Sequence, residues 1–139
     1  MKPIYIVTFI LISTFLLSCS SSEKSVKVKS TPLEGTNWSL YQIDGKAYSS
    51  ETKVTINFKY PDAKVSGSAP CNNYFGTYVH GGEILTFGTL ASTKKACPDL
   101  EMESKYLSLL QSTAKFIILG TELNLYDSSG KLTLVFTSR

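Results

Sequence analysis

The residues Gly67-Ser68-Ala69-Pro70-Cys71-Asn72-Asn73-Tyr74-Phe75-Gly76-Thr77-Tyr78 constrain the chain more than any other stretch. They combine a cysteine, two asparagines suited to a turn, and Tyr74 and Tyr78 at strand spacing around Gly76. An echo follows at Leu90-Ala91-Ser92-Thr93-Lys94-Lys95-Ala96-Cys97-Pro98, with a second cysteine. Cys, Asn and Tyr in one short segment suggest chemistry. Whether they form a reactive site or a staple depends on the remaining cysteine.

That cysteine, Cys19, ends an apolar run from Ile4 to Leu17 that Met1-Lys2 precedes. The run suits the apolar region of a signal peptide and falls short of the roughly 20 residues that span a bilayer. Leu16-Leu17-Ser18-Cys19, followed by three serines, resembles the lipobox of bacterial lipoproteins. An ordinary signal peptide cleaved nearby is the alternative. The resemblance implies a diacylglyceryl group on Cys19, cleavage before it and acylation of the new amine. Residues 1–18 are then a signal peptide, 19–32 a lipidated flexible linker, and 33–139 the folded domain. Several acyl chains hold a protein stably, at about 0.8 kcal/mol per buried methylene. The expected partner is therefore the membrane, through Cys19, and the expected place is the bacterial cell envelope. Ser20 is not Asp, which under the enterobacterial sorting rule implies the outer membrane.

With Cys19 lipidated, Cys71 and Cys97 remain, and an even pair in an exported protein reads as a disulfide. Two free thiols are one alternative. A metal site with His80, the only histidine of the domain, is another, although neither cysteine has tight ligand spacing.

The apolar fraction of 42% and charged fraction of 18% are those of a globular domain. The 14 basic residues are spread along the chain and the net charge is only +3, which excludes a clustered nucleic-acid footprint. Asn37–Ile43 alternates as a strand with Trp38 and Leu40 on one face. Lys53–Lys59 is the cleanest strand, with Val54, Ile56 and Phe58 facing in. Lys64–Ser68, Asn73–Val79, Ile84–Phe87 and Gly88–Thr93 are further extended pieces, and Gly76 leaves room for a neighbouring aromatic ring. The period then changes to that of a helix, with Asp99 as N-cap and Glu101 and Glu103 in its positive first turn. Leu100, Tyr106 or Leu107, Leu110 and Ala114 mark its apolar side. Lys115–Leu119, Glu122–Tyr126 and Lys131–Thr137 complete the chain as consecutive hairpins. The fold class predicted is α+β, mainly antiparallel: a small barrel-like β-meander of about eight strands with one helix packed on it.

These residues resemble the META-domain family, also called the HslJ type. The resemblance rests on Trp38-x-Leu40, on Gly67-x-x-x-Cys71-Asn72-Asn73-Tyr74-Phe75-Gly76-x-Tyr78 and on Leu90-Ala91-Ser92-Thr93-x-x-Ala96-Cys97. The hairpin with Leu123-x-Leu125 and Leu134-x-Phe136 fits too. Pro70 and Lys95 depart from the usual pattern. The resemblance spans residues 33–137. It implies Trp38, Gly67, Asn72, Gly76, Tyr78 and Thr93 as structural motif positions, a barrel with a packed helix, and an envelope or stress-related role. It supplies no catalytic residue and no cofactor.

A nucleophile needs a base that a third group orients. With one histidine in the domain, beside Gly81-Gly82, and both thiols expected to pair, no triad assembles. The carboxylates Glu101 and Glu103 fall on different helix faces, and Asp44 and Asp62 fall in turns. The sequence therefore reads as a non-enzymatic envelope lipoprotein, a binding module for an apolar ligand or an envelope protein. A pilot or assembly factor that binds a lipid chain or an outer-membrane partner is the alternative. The barrel mouth and the surface around Trp38, Tyr74 and Tyr78 are the places where an acyl chain or an apolar peptide would sit, although each of these aromatics reads first as core filling.

Overall fold

The structure is a computed structural model that describes residues 30–138. Residues 1–18, where a signal peptide is expected, and Cys19 lie outside the described residues. Ten strands and one helix follow in the order β1 (Asn37–Ile43), β2 (Lys46–Ala47), β3 (Thr55–Lys59), β4 (Lys64–Ser68), β5 (Asn73–Gly81), β6 (Ile84–Phe87), β7 (Ala91–Ser92), α1 (Leu100–Gln111), β8 (Thr113–Leu119), β9 (Glu122–Asp127) and β10 (Leu132–Ser138).

Eight of the strands close on themselves in the order β10-β9-β8-β6-β5-β4-β3-β1, with β1 pairing back to β10. Every pairing is antiparallel. The first strand meets the last through Trp38↔Ser138, Leu40↔Phe136 and Ile43↔Leu134. The short β2 extends β1, and β7 pairs the lower half of β5 beside β6. Asp44 and Gly45, which turn β1 into β2, have φ of 53° and 77°. Two positive φ angles suit the tight turns that match strand twist.

An eight-stranded barrel is just wide enough for side chains to fill. Here Trp38, Ile56, Phe58, Tyr74, Leu85, Leu123, Leu125, Leu134 and Phe136 fill it, each at most 1% exposed. Each such burial stabilises by about 1.5–3 kcal/mol. The alternation that predicted β3 holds, with Val54, Ile56 and Phe58 inside. The seam with the fewest register pairs is β6 to β8, joined by Ile84↔Lys115, by the Phe116 N–H to the Glu83 carbonyl and by the Lys115–Glu83 ion pair.

Helix α1 lies against β6 and β10. Asp99 is its N-cap residue, but the Asp99 side chain makes no capping hydrogen bond. Its buried face holds the expected Tyr106 and Leu110 but differs at its ends. Glu103, Tyr106 and Leu110 are buried, whereas Leu100 is 44% exposed and Ala114 belongs to β8. The buried row keeps helical spacing, but it starts on a carboxylate.

Candidate functional site

Each motif position seen in the sequence lands in one polar knot between β4, β5, β7 and α1, buried at Asn72, or in the core beside it. The structure joins Cys71 and Cys97 by a disulfide, with Cα atoms 6.2 Å apart. Cys71 opens the turn before β5, and Cys97 lies just before α1, so the bridge ties strand entry to helix entry.

Glu103 sits beneath that turn, 5% exposed. Its Oε2 accepts the backbone N–H of Cys71 at 3.0 Å and of Asn72 at 2.7 Å. Its Oε1 accepts Asn72 Nδ2 at 2.9 Å. Asn72 completes the knot with its oxygen: Oδ1 accepts the Lys95 N–H at 2.8 Å and the Thr93 hydroxyl at 2.9 Å. The Asn73 N–H donates to Thr93 Oγ1 at 3.3 Å. A turn leaves backbone donors without partners, and a buried donor left unpaired costs about 1–3 kcal/mol. Glu103 and Thr93 supply the acceptors that the turn lacks.

Next to the knot, the Tyr74 hydroxyl donates to the Thr55 carbonyl at 2.9 Å. It has one proton, so the Tyr106 hydroxyl, 2.8 Å away, donates to Tyr74. Burial pushes the ionisation of both tyrosines upward. Gly67 makes this possible. A Cβ there would stand 2.0 Å from the Thr55 carbonyl oxygen and 2.7 Å from the Tyr74 hydroxyl. Gly76 admits Leu90 and the Thr89 carbonyl, 2.8 and 2.9 Å from a hypothetical Cβ, rather than the aromatic ring expected there.

A second, smaller cluster closes the other part of β5. Glu34 Oε1 accepts the Tyr78 hydroxyl at 2.6 Å and lies 3.0 Å from His80 Nε2. The His80 ring stacks on Tyr78 with centroids 5.7 Å apart. Burial first, and the Glu34 carboxylate second, push the Tyr78 hydroxyl's ionisation upward. The cluster straps the segment before β1 onto the barrel, as do the bonds from Trp38 Nε1 to the Leu33 carbonyl and from the Gly35 N–H to the Phe58 carbonyl. His80 thus lies with Glu34, and the cysteines are joined to each other. Among the described residues no group of three His, Cys, Asp or Glu side chains is arranged to hold a metal.

Trp38, Tyr74 and Tyr78 are each at most 2% exposed, so they offer no aromatic surface to a ligand. A cleft of about 400 Å³ lies outside the barrel, between the β2 segment and α1, lined by Tyr48, Ser50, Met102 and Lys105 among others.

Sequence reasoning missed Glu103, Glu34 and Tyr106 as members of these clusters. The signal available for Glu103 was its spacing, three residues before Tyr106 and seven before Leu110, on the face that faces the barrel.

A family model described as the META domain matches residues 31–139. This chain belongs to the META-domain family. Solved structures share the fold. An NMR structure of a protein from Burkholderia xenovorans is 28% identical with a TM-score of 0.62, covering 77% of this chain and 83% of that one. A second NMR structure is 25% identical with a TM-score of 0.61, covering 76% and 90%. A DUF4847 family protein from Bacteroides vulgatus is 15% identical with a TM-score of 0.60, covering 76% and 93%, and shares the fold alone. Among curated proteins none matches the chain. The META domain is in general a non-catalytic family, and the motif that marks it here works as a staple.

Proposed function

We propose that this META-domain protein is a lipid-anchored lipoprotein of the bacterial cell envelope that acts as a binding module and not as an enzyme. The observation that carries the second half is the use made of its polar residues. Glu103, Asn72, Thr93 and both cysteines are consumed in holding one turn, and Glu34 and His80 in holding the segment before β1. None of them leaves a nucleophile beside an oriented base.

The first half rests on the lipobox-like Leu16-Leu17-Ser18-Cys19. Outer-membrane placement follows from Ser20, and an envelope or stress-related role from the family resemblance. An acyl chain inside the barrel, the route expected of a pilot-like lipoprotein, competes with side chains that already fill it. A partner or ligand therefore meets the outer surface.

Mass spectrometry of the mature protein tests the anchor. A lipidated N-terminal peptide beginning at Cys19 is expected, and Cys19→Ala should abolish lipidation. An unmodified mature N-terminus elsewhere overturns it. In-cell crosslinking from surface positions of the wild type tests the module, and one recurrent envelope partner is expected. Turnover of an envelope substrate lost in His80→Ala would overturn the non-enzymatic reading.

A further inference from the structure

The outer face of the barrel is not uniform. On β3 and β4 the outward positions Thr55, Asn57, Lys64 and Ser66 are polar, as an antiparallel sheet facing water requires. On β5, β6 and β8 large exposed apolar residues stand among Thr77, Thr86 and Lys115 at the outward positions. Val79 is 70% exposed, Ile84 61% and Leu119 62%. Register places these residues together. Gly81 pairs Ile84, and Val79 pairs Thr86, so Val79 and Ile84 are diagonal neighbours on one face. Ile84 pairs Lys115 in turn, and Ile117 and Leu119 continue that face along β8. Phe75, 60% exposed, extends it along β5.

The chain enters the fold beside this row. The Thr31 N–H donates to the Gly120 carbonyl at 3.0 Å, and Ser30 lines a shallow cleft with Ile118, Leu119 and Gly120. Cys19 precedes Ser30 by eleven residues in the sequence. A random coil of that length has an r.m.s. span of about 18 Å. The lysines of that stretch, Lys24, Lys27 and Lys29, complement an anionic surface.

We propose that this face, centred on Val79, Ile84 and Leu119, rests on the lipid bilayer, with the apolar side chains dipping into its interface. The inference depends on the Cys19 anchor proposed above. An anchored domain meets the bilayer at high effective concentration, so a patch too weak to recruit a free protein suffices to orient a tethered one.

The test uses the full lipidated protein in vesicles of phosphatidylethanolamine and phosphatidylglycerol with brominated acyl chains. Val79→Trp, Ile84→Trp and Leu119→Trp each add one fluorophore above the buried Trp38 background. Ser129→Trp, in the β9–β10 turn at the opposite end of β9 from Gly120, is the control. Flotation with the vesicles reports the anchor, and bromine quenching reports the face. The expected result is flotation of all four variants, with quenching at least twofold stronger at the three row positions than at Ser129. Flotation with equal or absent quenching overturns the docked face and leaves the anchor standing. So does a concentration-dependent dimer without quenching, which would assign the face to a second copy. Failure to float overturns the anchor and the docked face together. Val79→Ser with Ile84→Ser should still float and should lose the contrast between Leu119→Trp and Ser129→Trp.

Discussion

Glu103 Oε2 receives the Asn72 N–H at 2.7 Å across a separation of 31 residues. A helix side chain therefore completes a turn that belongs to a distant pair of strands. Glu103→Gln keeps the size and removes one acceptor. Either the two backbone donors or Asn72 Nδ2 must then face an amide –NH₂. The expected loss is about 2–4 kcal/mol in denaturant unfolding. Asn72→Ala in the Glu103→Gln background should cost less than it does alone, because the two share bonds. Additive losses would contradict the knot.

The disulfide closes a loop with a sequence separation of 26. The chain-entropy model assigns it about 3.5 kcal/mol. Cys71→Ala, Cys97→Ala and the double variant should unfold at the same denaturant midpoint, well below the wild type. Additive losses in the double variant would refute the pairing.

Gly67 and Gly81 give opposite expectations for one methyl group. Gly67→Ala pushes a Cβ into the Thr55 carbonyl, which is backbone and cannot rotate away. A loss of about 3 kcal/mol or more follows, in the range of severe core clashes. Nothing lies within 4 Å of a Cβ at Gly81, and Gly81→Ala should stay within about 0.5 kcal/mol of wild type. Thermal melts of the two variants check the contrast.

Alkaline pH should weaken the fold. Tyr74, Tyr78 and Tyr106 ionise above their ordinary value of 10.0 because burial disfavours the phenolate. Their folded values are raised, so their stability contribution is whole below pH 10 and is lost as pH climbs past it. Urea midpoints between pH 8 and 11 should fall beyond pH 10. Tyr106→Phe should cost about 1 kcal/mol at neutral pH and make that fall shallower. A flat profile would contradict the buried tyrosine pair.

Acid acts at another place. Asp44 is held below its ordinary value of 3.8, chiefly by Lys131 and then by Lys105, whose Nζ lies 3.2 Å away. The folded value is depressed, so this contribution is present above pH 3.8 and disappears as pH drops through the folded value. Asp44→Asn should flatten part of the acid limb of the stability profile and lessen its salt dependence. Unchanged profiles would show that this exposed pair contributes nothing measurable.

The barrel was legible because apolar alternation and turn residues carry register directly. Val54, Ile56 and Phe58 announce a buried strand face, and Asp44-Gly45 and Ser129-Gly130 announce hairpins. The helix was legible from its start at Asp99 and in the Tyr106–Leu110 half of its face, but not in the half that holds Glu103. Periodicity counts apolar residues, and this helix buries Glu103 because the Cys71 turn needs an acceptor there. That demand comes from tertiary structure, so Leu100 looked inward and lies outward. Trp38, Tyr74 and Tyr78 read first as core and second as ligand surface, since an aromatic side chain serves both, and closure of the barrel around them decides for the core. The strands β2 and β7 are two residues each, too short to carry a period. Likewise His80 showed no partner in the sequence, because Glu34 reaches it from 46 residues away.

Pairing of β1 with β10 also sets a clock. Trp38, Leu40 and Ile43 find their partners among the last seven-residue strand, Leu132–Ser138. A chain that is made or threaded through a pore from its N-terminus therefore keeps one side of β1 open until β10 has emerged. Closure of the barrel waits on the strand that is made last among those described. Loss of β10 would take Leu134 and Phe136 out of the core and leave the circle unclosed.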